Sequence, residues 1–272
     1  MYSVTIMSGN FFDKDYATYW KERVENTITE SKVPDETVER FFISKLGISR
    51  GDFLLDLGCG HGRLYPLLHE FADHIEGVDI NKAAIDEALH YPYSKLAIGS
   101  AEKTTLSEDY FDKIVAWATY DGVEQDQGLI EANRILKQGG ALLITGKNKD
   151  YEPDDLVAFV AERNAKLKDF PNHFTDVYGM IGDAKLFGFM VRAGYGFVRR
   201  GDFGELKYID LLDGKQNKFY EFLLILEKVG TPSVKEKKIC FEFSDVAKAL
   251  AKQAGFDDIK SFFAWHKEKY HD

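Results

Sequence analysis

The sequence is poor in cysteine and proline, with two cysteines and six prolines among 272 residues. Because Cys59 and Cys240 are its only cysteines, the disulfide framework of a small secreted protein is excluded. The first residues lack the basic and apolar regions of a secretory signal, and no apolar run approaches the roughly 18 residues of a membrane span. We therefore expect a cytoplasmic protein without a membrane partner.

Positive charge is also scarce, because 35 Lys and Arg residues face 45 Asp and Glu residues for a formal net charge of −10. A broad phosphate-binding surface is thus disfavoured and no nucleic-acid partner is expected, although a local basic patch is compatible with an acidic total. No group of side chains has metal-ligand spacing, so no metal is predicted. Hydrophobic residues make up 44% of the chain, enough for a packed core.

Residues 51–146 alternate between short apolar runs and segments with helical periodicity. The predicted strands are residues 53–57, 75–79, 96–98, 111–117 and 141–144. The predicted helices are residues 63–71, 82–89 and 127–136, and residues 139–140 are a predicted turn. This alternation is typical of a Rossmann-like, doubly wound α/β sheet with mostly parallel strands.

The loop after the first strand carries glycine at every second position, Gly58, Gly60 and Gly62. Glycine permits positive φ and close approach of a ligand, and the following helix start presents free N–H groups. The pattern predicts a nucleotide-type cofactor. A dinucleotide is disfavoured, because its fingerprint is G-x-G-x-x-G and this chain has Arg63 where the third glycine belongs.

Asp79 ends the second predicted strand, about 20 residues beyond the glycine loop. An acidic residue in that place is positioned to accept hydrogen bonds from ribose hydroxyls. The alternative is an aspartate that caps the next helix or stabilises a turn.

Four segments in order resemble motifs of the class I S-adenosylmethionine-dependent methyltransferases, nearest to their small-molecule, type 11-like branch. The segments are DLGCGHG at residues 56–62, EGVDI at 76–80, GSAE at 99–102 with YFD at 110–112, and EANRILKQGG at 131–140. The resemblance implies a seven-stranded sheet with an antiparallel last strand, and S-adenosyl-L-methionine as the cofactor.

The resemblance also implies roles for individual residues. The loop glycines and Cys59 would pass under the methionine part of the cofactor, with Asp56 close to its ammonium end. Asp79 would take the ribose hydroxyls and Trp117 would flank the methionine and the reacting centre. The adenine would be bordered by Ile80, Ala101 and Glu102. For Arg63, a solvated position at the helix start is the alternative to a cofactor contact.

The resemblance also implies that the segment after the fourth predicted strand faces the methyl acceptor. Many members of the branch carry two adjacent histidines there, whereas this chain has Asp121 and Gly122. Asp121 or Tyr120 could orient or deprotonate a substrate hydroxyl or amine, unless Asp121 is only a turn residue. His173 is a further candidate base, with a structural role as its alternative.

Residues 1–50 are predicted to form a helical lid. Tyr16, Tyr19, Trp20 and Arg23 lie three or four positions apart and so share one helix face. Trp20 and Arg23 would close over the cofactor, unless this face only packs on the core. A second helix is predicted over residues 35–46.

Residues 51–230 are predicted to form the methyltransferase core, with a substrate-facing insert at about residues 147–195. Within and after the insert we predict helices at residues 156–167 and 176–193, and an antiparallel strand pair at residues 197–204 and 218–228. Arg199 and Arg200 would bind an anionic group or lie at an exposed strand end. Residues 231–272 form a C-terminal appendage, either docked on the core or a homodimer contact.

We therefore expect methyl transfer to a hydroxyl or amine of a small molecule, for which a sugar or nucleotide-sugar is the candidate by family analogy. Two alternatives stay open at this point. One is a protein that binds S-adenosylmethionine without transferring methyl groups, and the other is an NAD-dependent oxidoreductase.

Overall fold

The computed structural model describes residues 4–5, 38–151, 172–197, 208–216 and 219–270. Its strands are β1 Val4–Thr5, β2 Phe53–Leu57, β3 His74–Asp79, β4 Lys95–Ile98, β5 Phe111–Ala116, β6 Leu136–Lys147, β7 His173–Thr175, β8 Phe189–Phe197, β9 Tyr208–Asp210, β10 Glu221–Lys228 and β11 Cys240–Glu242. Its α-helices are α1 Val38–Ser44, α2 Tyr65–Leu68, α3 Lys82–Ala88, α4 Gln125–Ile135, α5 Val177–Asp183, α6 Phe243–Gln253 and α7 Ile259–Tyr270.

The main sheet has the order β1-β4-β3-β2-β5-β6-β10-β8-β9. Strands β1 to β6 pair in parallel, whereas β10 runs antiparallel to both of its neighbours, β6 and β8. The doubly wound class and the antiparallel late strand are thus as expected. The predicted number of seven strands was wrong, because the short strands β1 and β9 pair with the two outer edges in the described part of the chain.

The predicted helix at residues 176–193 was also wrong in its second half. Helix α5 ends at Asp183, a 3-10 turn follows at Ala184–Phe187, and Gly188 then reverses the chain with φ +78°. Strand β8 begins directly after this glycine and pairs with β10. A long-range strand partner therefore overrode the local helical periodicity. The predicted strand at residues 197–204 shares only Phe197 with β8, because residues 198–207 lie outside the described ranges.

Other boundaries moved less. Helix α2 spans only Tyr65–Leu68 of the predicted 63–71. Strand β6 is longer than predicted, because it continues through the expected turn at Gly139 and Gly140 with an irregular register against β5. The predicted helix at residues 156–167 lies outside the described residues.

Helix α1 packs across one face of the sheet with Phe42 and Ile43 fully buried, and α4 covers the opposite face with Leu129. A third apolar cluster joins the C-terminal helices to the core, because Phe243 and Leu250 pack with Tyr151 and Phe174. Strand β11 pairs with β7 next to these helices.

The domain boundaries at residues 50 and 230 and the homodimer contact stay predictions. Within the described ranges, no helix combines the length and apolarity needed to cross a membrane.

Candidate active site

The candidate site lies along the carboxyl ends of the parallel strands. Strand β2 is the switch point of the sheet, since β3 and β4 lie on one side of it and β5 and β6 on the other. Ligands of open α/β sheets bind in the crevice at such a point. The predicted cofactor residues follow β2, β3, β4 and β5, so the fold brings them to one edge.

The glycine loop is hydrogen-bonded to β3 on one side, and at Gly60 its other side is not covered by atoms of the described residues. The backbone N–H groups of Gly58 and Cys59 donate to the Val78 carbonyl at 2.7 and 3.0 Å. Gly58 has φ +77°, and a Cβ there would lie 2.2 Å from the Thr119 hydroxyl oxygen, so only glycine fits. Gly60 also has positive φ (+54°), but a Cβ on it would meet no atom within 4 Å. The loop therefore presents its backbone toward open space at Gly60.

Asp79 joins this loop to the start of α3. Its carboxylate accepts from the Gly60 N–H at 2.8 Å with one oxygen and from the Asn81 N–H at 2.8 Å with the other. Burial raises the pKa of Asp79, and these backbone hydrogen bonds oppose that rise. Of the two alternative roles, the helix cap belongs to Asn81, whose side chain accepts from the Ala83 N–H at 2.9 Å. The turn role is present, because the Asn81 N–H that donates to Asp79 lies two residues along the chain.

Asp56 is buried beneath the loop and accepts a hydrogen bond from the Tyr93 hydroxyl at 2.7 Å. Burial raises the pKa of Asp56 to about 7, while the Tyr93 hydrogen bond and the Arg63 charge pull it down. Cys59 is also buried, and desolvation together with the Asp56 charge raises the pKa of its thiol. Cys59 is therefore a neutral packing residue under the loop at neutral pH.

The expected adenine side follows β3 and β4. Ile80, directly after β3, is half-buried, and Ala101, after β4, is buried. The Glu102 carboxylate accepts from the Glu124 N–H at 2.8 Å, so it links this side to the segment after β5.

Three buried side-chain polar groups have no hydrogen-bond partner among the described residues, namely Asn81 Nδ2, Trp117 Nε1 and the Tyr120 hydroxyl. Two of them, Asn81 and Trp117, stand directly beyond the carboxyl ends of β3 and β5. Ala118 comes next and is exposed, with φ +53° in the left-handed region that non-glycine residues rarely adopt. Orphaned donors and backbone strain cluster at ligand sites, because a ligand can satisfy the donors and local strain can position the reacting groups.

Asp121, which is predicted to face the methyl acceptor, belongs to a polar group that joins the 3-10 turn after β5 to the end of β6. Its carboxylate contacts the Lys147 ammonium at 3.3 Å at the end of β6. Lys147 also donates to the Asn172 side-chain oxygen at 2.7 Å and lies 5.9 Å from the ring centre of Phe174. The side chains of Asp121 and Lys147 keep 21% and 18% exposure, so a small molecule can reach both.

Tyr120 and His173 are placed differently from Asp121. Tyr120 is fully buried, and a Cβ on Gly128 would lie 3.3 Å from its hydroxyl oxygen; burial raises the pKa of this phenol. His173 is buried with both ring nitrogens engaged, Nδ1 with the Val123 carbonyl at 2.9 Å and Nε2 with Glu242 at 2.9 Å. Both environments favour structural roles.

Arg63 takes neither of its two predicted roles, a solvated position at the helix start or a cofactor contact. It makes a bidentate ion pair with the buried Glu39 of α1, with contacts of 2.8 and 2.5 Å. Trp20 and Arg23, the predicted lid residues, lie outside the described ranges, so their role stays a prediction.

Sequence reasoning missed Tyr93, Lys147, Asn172 and Glu39. Each makes its contact across at least 24 positions of sequence. Local periodicity carries no information about such pairs. The one available signal was Gly77 inside a buried strand, because glycine in a strand often marks a close approach; a Cβ there would lie 3.1 Å from both the Tyr93 ring and the Cys59 sulfur.

Comparisons with known proteins agree with this geometry. A family model described as a methyltransferase domain matches residues 55–144. The chain is 30% identical over 142 residues to the uncharacterized methyltransferase YdaC of Bacillus subtilis (strain 168), covering 49% of this chain and 78% of YdaC. It is 29% identical over 130 residues to the ubiquinone/menaquinone biosynthesis C-methyltransferase UbiE of Neisseria meningitidis, covering 42% of this chain and 51% of UbiE.

A solved structure shares the fold. It is a SAM-dependent methyltransferase from Thermotoga maritima, with a TM-score of 0.59 at 17% identity, covering 79% of this chain and 98% of that one. The chain belongs to the class I S-adenosylmethionine-dependent methyltransferases. It is thus an enzyme of that class, and its cofactor is S-adenosyl-L-methionine.

The residues present fit that cofactor. The open space above Gly60 and the partnerless donor groups of Asn81 and Trp117 suit a ligand rich in hydrogen-bond acceptors. The neighbouring carboxyl groups of Asp56 and Asp79 suit its ammonium and its hydroxyl groups.

Proposed function

We propose that the enzyme methylates a hydroxyl or amine of a small molecule, with Asp121 as the group that accepts the acceptor's proton. The observation that carries this proposal is the ion pair between Asp121, in the segment after β5, and Lys147, at the end of β6, whose charged atoms lie 3.3 Å apart. A carboxylate side chain can accept a proton, and the ammonium beside it can hold it in a fixed orientation.

The cofactor supplies a methyl group on a sulfonium, which is already activated toward a nucleophile. The protein's part is to bind and orient. We assign Asp56 to the ammonium end, Asp79 to the ribose, Ile80, Ala101 and Glu102 to the adenine, and the Gly58–Gly62 loop with Trp117 to the methionine part. Holding two reactants in line can supply on the order of 7–11 kcal/mol of the barrier in favourable systems.

Lys147 and Asn172 act in this proposal as positioning residues for Asp121. Asn172 is buried and fixes the Lys147 ammonium at 2.7 Å, which in turn orients the carboxylate. A hydroxyl acceptor would give its proton to Asp121 as its oxygen bonds to the methyl group and the methyl–sulfur bond breaks. An ammonium acceptor would give a proton to Asp121 first, so that the nitrogen lone pair is free to attack. A base of this kind contributes roughly 10²–10⁴-fold.

A carbon acceptor is the second candidate, because UbiE is named a C-methyltransferase. A transfer screen with methyl-labelled S-adenosylmethionine and a fractionated small-molecule extract separates the candidates, since the labelled product shows whether O, N or C carries the new methyl group.

With an acceptor found, Asp121→Asn should lower kcat by about 100-fold or more without changing cofactor affinity. Asp150→Asn removes a nearby exposed carboxylate and should leave both values unchanged. If Asp121→Asn kept full kcat, Asp121 would not be the base. If no fraction were labelled on O or N, the proposed acceptor class would be wrong.

A further inference from the structure

A tyrosine that lies outside the four motifs contacts Asp56, a buried residue of the proposed cofactor site. Tyr93 lies in the loop between α3 and β4 and is 1% exposed. Its hydroxyl donates to Asp56 at 2.7 Å, across 37 positions of sequence. Asp56 is itself 2% exposed, so this buried carboxyl has a dedicated hydrogen-bond donor.

The surroundings hold Tyr93 in place. Its ring packs edge-on against Tyr65 with 4.6 Å between ring centres, and the Tyr65 hydroxyl donates to the Pro92 carbonyl at 3.0 Å. Gly77 provides the necessary room, because a Cβ at that position of β3 would lie 3.1 Å from the Tyr93 ring. The ring contact with Tyr65, the Tyr65–Pro92 hydrogen bond and the space at Gly77 together orient the Tyr93 hydroxyl toward the Asp56 carboxylate.

The charge state of Asp56 is finely balanced. Desolvation favours the neutral acid, and the charges of Asp79 and Glu39 add to that effect. The Tyr93 hydroxyl and the Arg63 guanidinium favour the carboxylate. The remaining titratable neighbour is the buried Cys59 thiol, which stays neutral because burial raises its pKa.

We propose that Tyr93 is a positioning residue that acts on the cofactor through the Asp56 carboxylate, and that this pair makes cofactor affinity pH-dependent near neutrality. The inference rests on the proposed place of Asp56 at the cofactor's ammonium end. An ionised Asp56 attracts the ammonium and a protonated one does not. Affinity therefore rises as pH increases through the range in which Asp56 ionises.

The test is calorimetric titration of the full chain with S-adenosylhomocysteine at pH 5.5, 6.5 and 7.5, below the range in which the ligand's own ammonium loses its proton. We expect the wild-type affinity to rise about tenfold over this range. The control ligand is 5′-methylthioadenosine, which has the same nucleoside but no ammonium. Its affinity should stay nearly constant.

Tyr93→Phe removes the donor and keeps the ring. The carboxylate loses a hydrogen bond, so its ionisation moves to higher pH. Affinity for S-adenosylhomocysteine should then fall roughly fivefold at pH 7.5 and stay within about twofold of wild type at pH 5.5. The matched control is Tyr65→Phe, which disturbs the same aromatic cluster without touching Asp56 and should keep the wild-type profile.

An equal loss of affinity at every pH for Tyr93→Phe would show a merely structural role and overturn the inference. If that variant failed to fold, Asp56→Asn would replace it, since it should bind weakly and without pH dependence. Normal, pH-dependent binding by Asp56→Asn would instead place Asp56 away from the ammonium. Because no methyl acceptor is present in these titrations, their outcome is independent of whether the proposed acceptor class is right.

Discussion

The proposed cofactor side and the proposed acceptor side of this site are built in different ways. The cofactor residues lie in short consecutive motifs, each at the end of one parallel strand, and their contacts run between adjacent strands, as from Gly60 to Asp79 at 2.8 Å. The acceptor side draws on distant parts of the chain. There Asp121 contacts Lys147, Lys147 contacts Asn172, and Glu124 lies beside Cys240, 116 positions away.

This difference suggests that the two sides respond differently to mutation. The cofactor side depends on backbone geometry, so single changes should remove binding outright. The acceptor side depends on side-chain pairs, which can vary while the sheet edge stays intact.

Asp79→Ala should weaken S-adenosylmethionine binding by roughly 100-fold or more, because it removes the acceptor for two backbone N–H groups as well as the ligand contact. Isothermal titration measures the affinity. Asp86→Ala is the control, since the one side-chain contact of Asp86 within the described ranges is an exposed ion pair with Lys82. Retained affinity would mean that the ribose is held elsewhere.

Asp56→Asn should stabilise the ligand-free protein at high pH. The pKa of Asp56 is raised from 3.8 to about 7 in the folded state, so folding favours the protonated form. The contribution of Asp56 to the free energy of unfolding of the wild type is therefore fully present below about pH 4, and it is lost as pH rises through about 7. We expect the variant to gain on the order of 2–4 kcal/mol at pH 8 and almost nothing at pH 4. Denaturant unfolding at both pH values checks this, and an equal change at both would contradict it.

The loop glycines should separate ligand binding from folding. Gly62→Ala places a Cβ 2.6 Å from the Tyr91 ring at φ +83°, so it should cost about 2 kcal/mol of folding stability. Gly60→Ala meets no atom within 4 Å and should cost only about 1 kcal/mol of folding stability.

The same Gly60 substitution should raise the cofactor Kd about tenfold, because its methyl group enters the open side of the loop. Thermal unfolding and titration of both variants give the two quantities. Equal Kd values for Gly60→Ala and wild type would show that the loop does not face the cofactor.

Ala118→Gly tests the acceptor side with the smallest expected change. At φ +53° an alanine is strained by about 1–2 kcal/mol, and the larger unfolded-state entropy of glycine offsets about half of that gain. The variant should therefore be about 0.5 kcal/mol more stable than wild type by chemical denaturation. A loss of stability would mean that Ala118 is not strained in solution.

The difference between local motifs and contacts that are distant in sequence also determines how much of the structure the sequence could predict. Strand β2 and the glycine loop were predicted correctly because their glycine spacing and apolar run are local signals. The helix predicted at residues 176–193 was wrong after Asp183, because β8 is stabilised by pairing with β9 and β10, which both lie later in the chain. Tyr93 and Lys147 were missed for the same reason, since no local pattern specifies a partner on another strand.

Strand β10 has a consequence for how the chain folds. It is inserted between β6 and β8, although it follows both in sequence. Strands β2 to β6 can pair as residues 53–147 become available, but β8 can pair only with the short strand β9 until residues 221–228 are made. A nascent chain therefore exposes the unpaired edge of β6 for some 70 residues of synthesis, and the sheet closes only in the last stage of folding. Pulse-labelling hydrogen exchange should find β2 to β6 protected before β8.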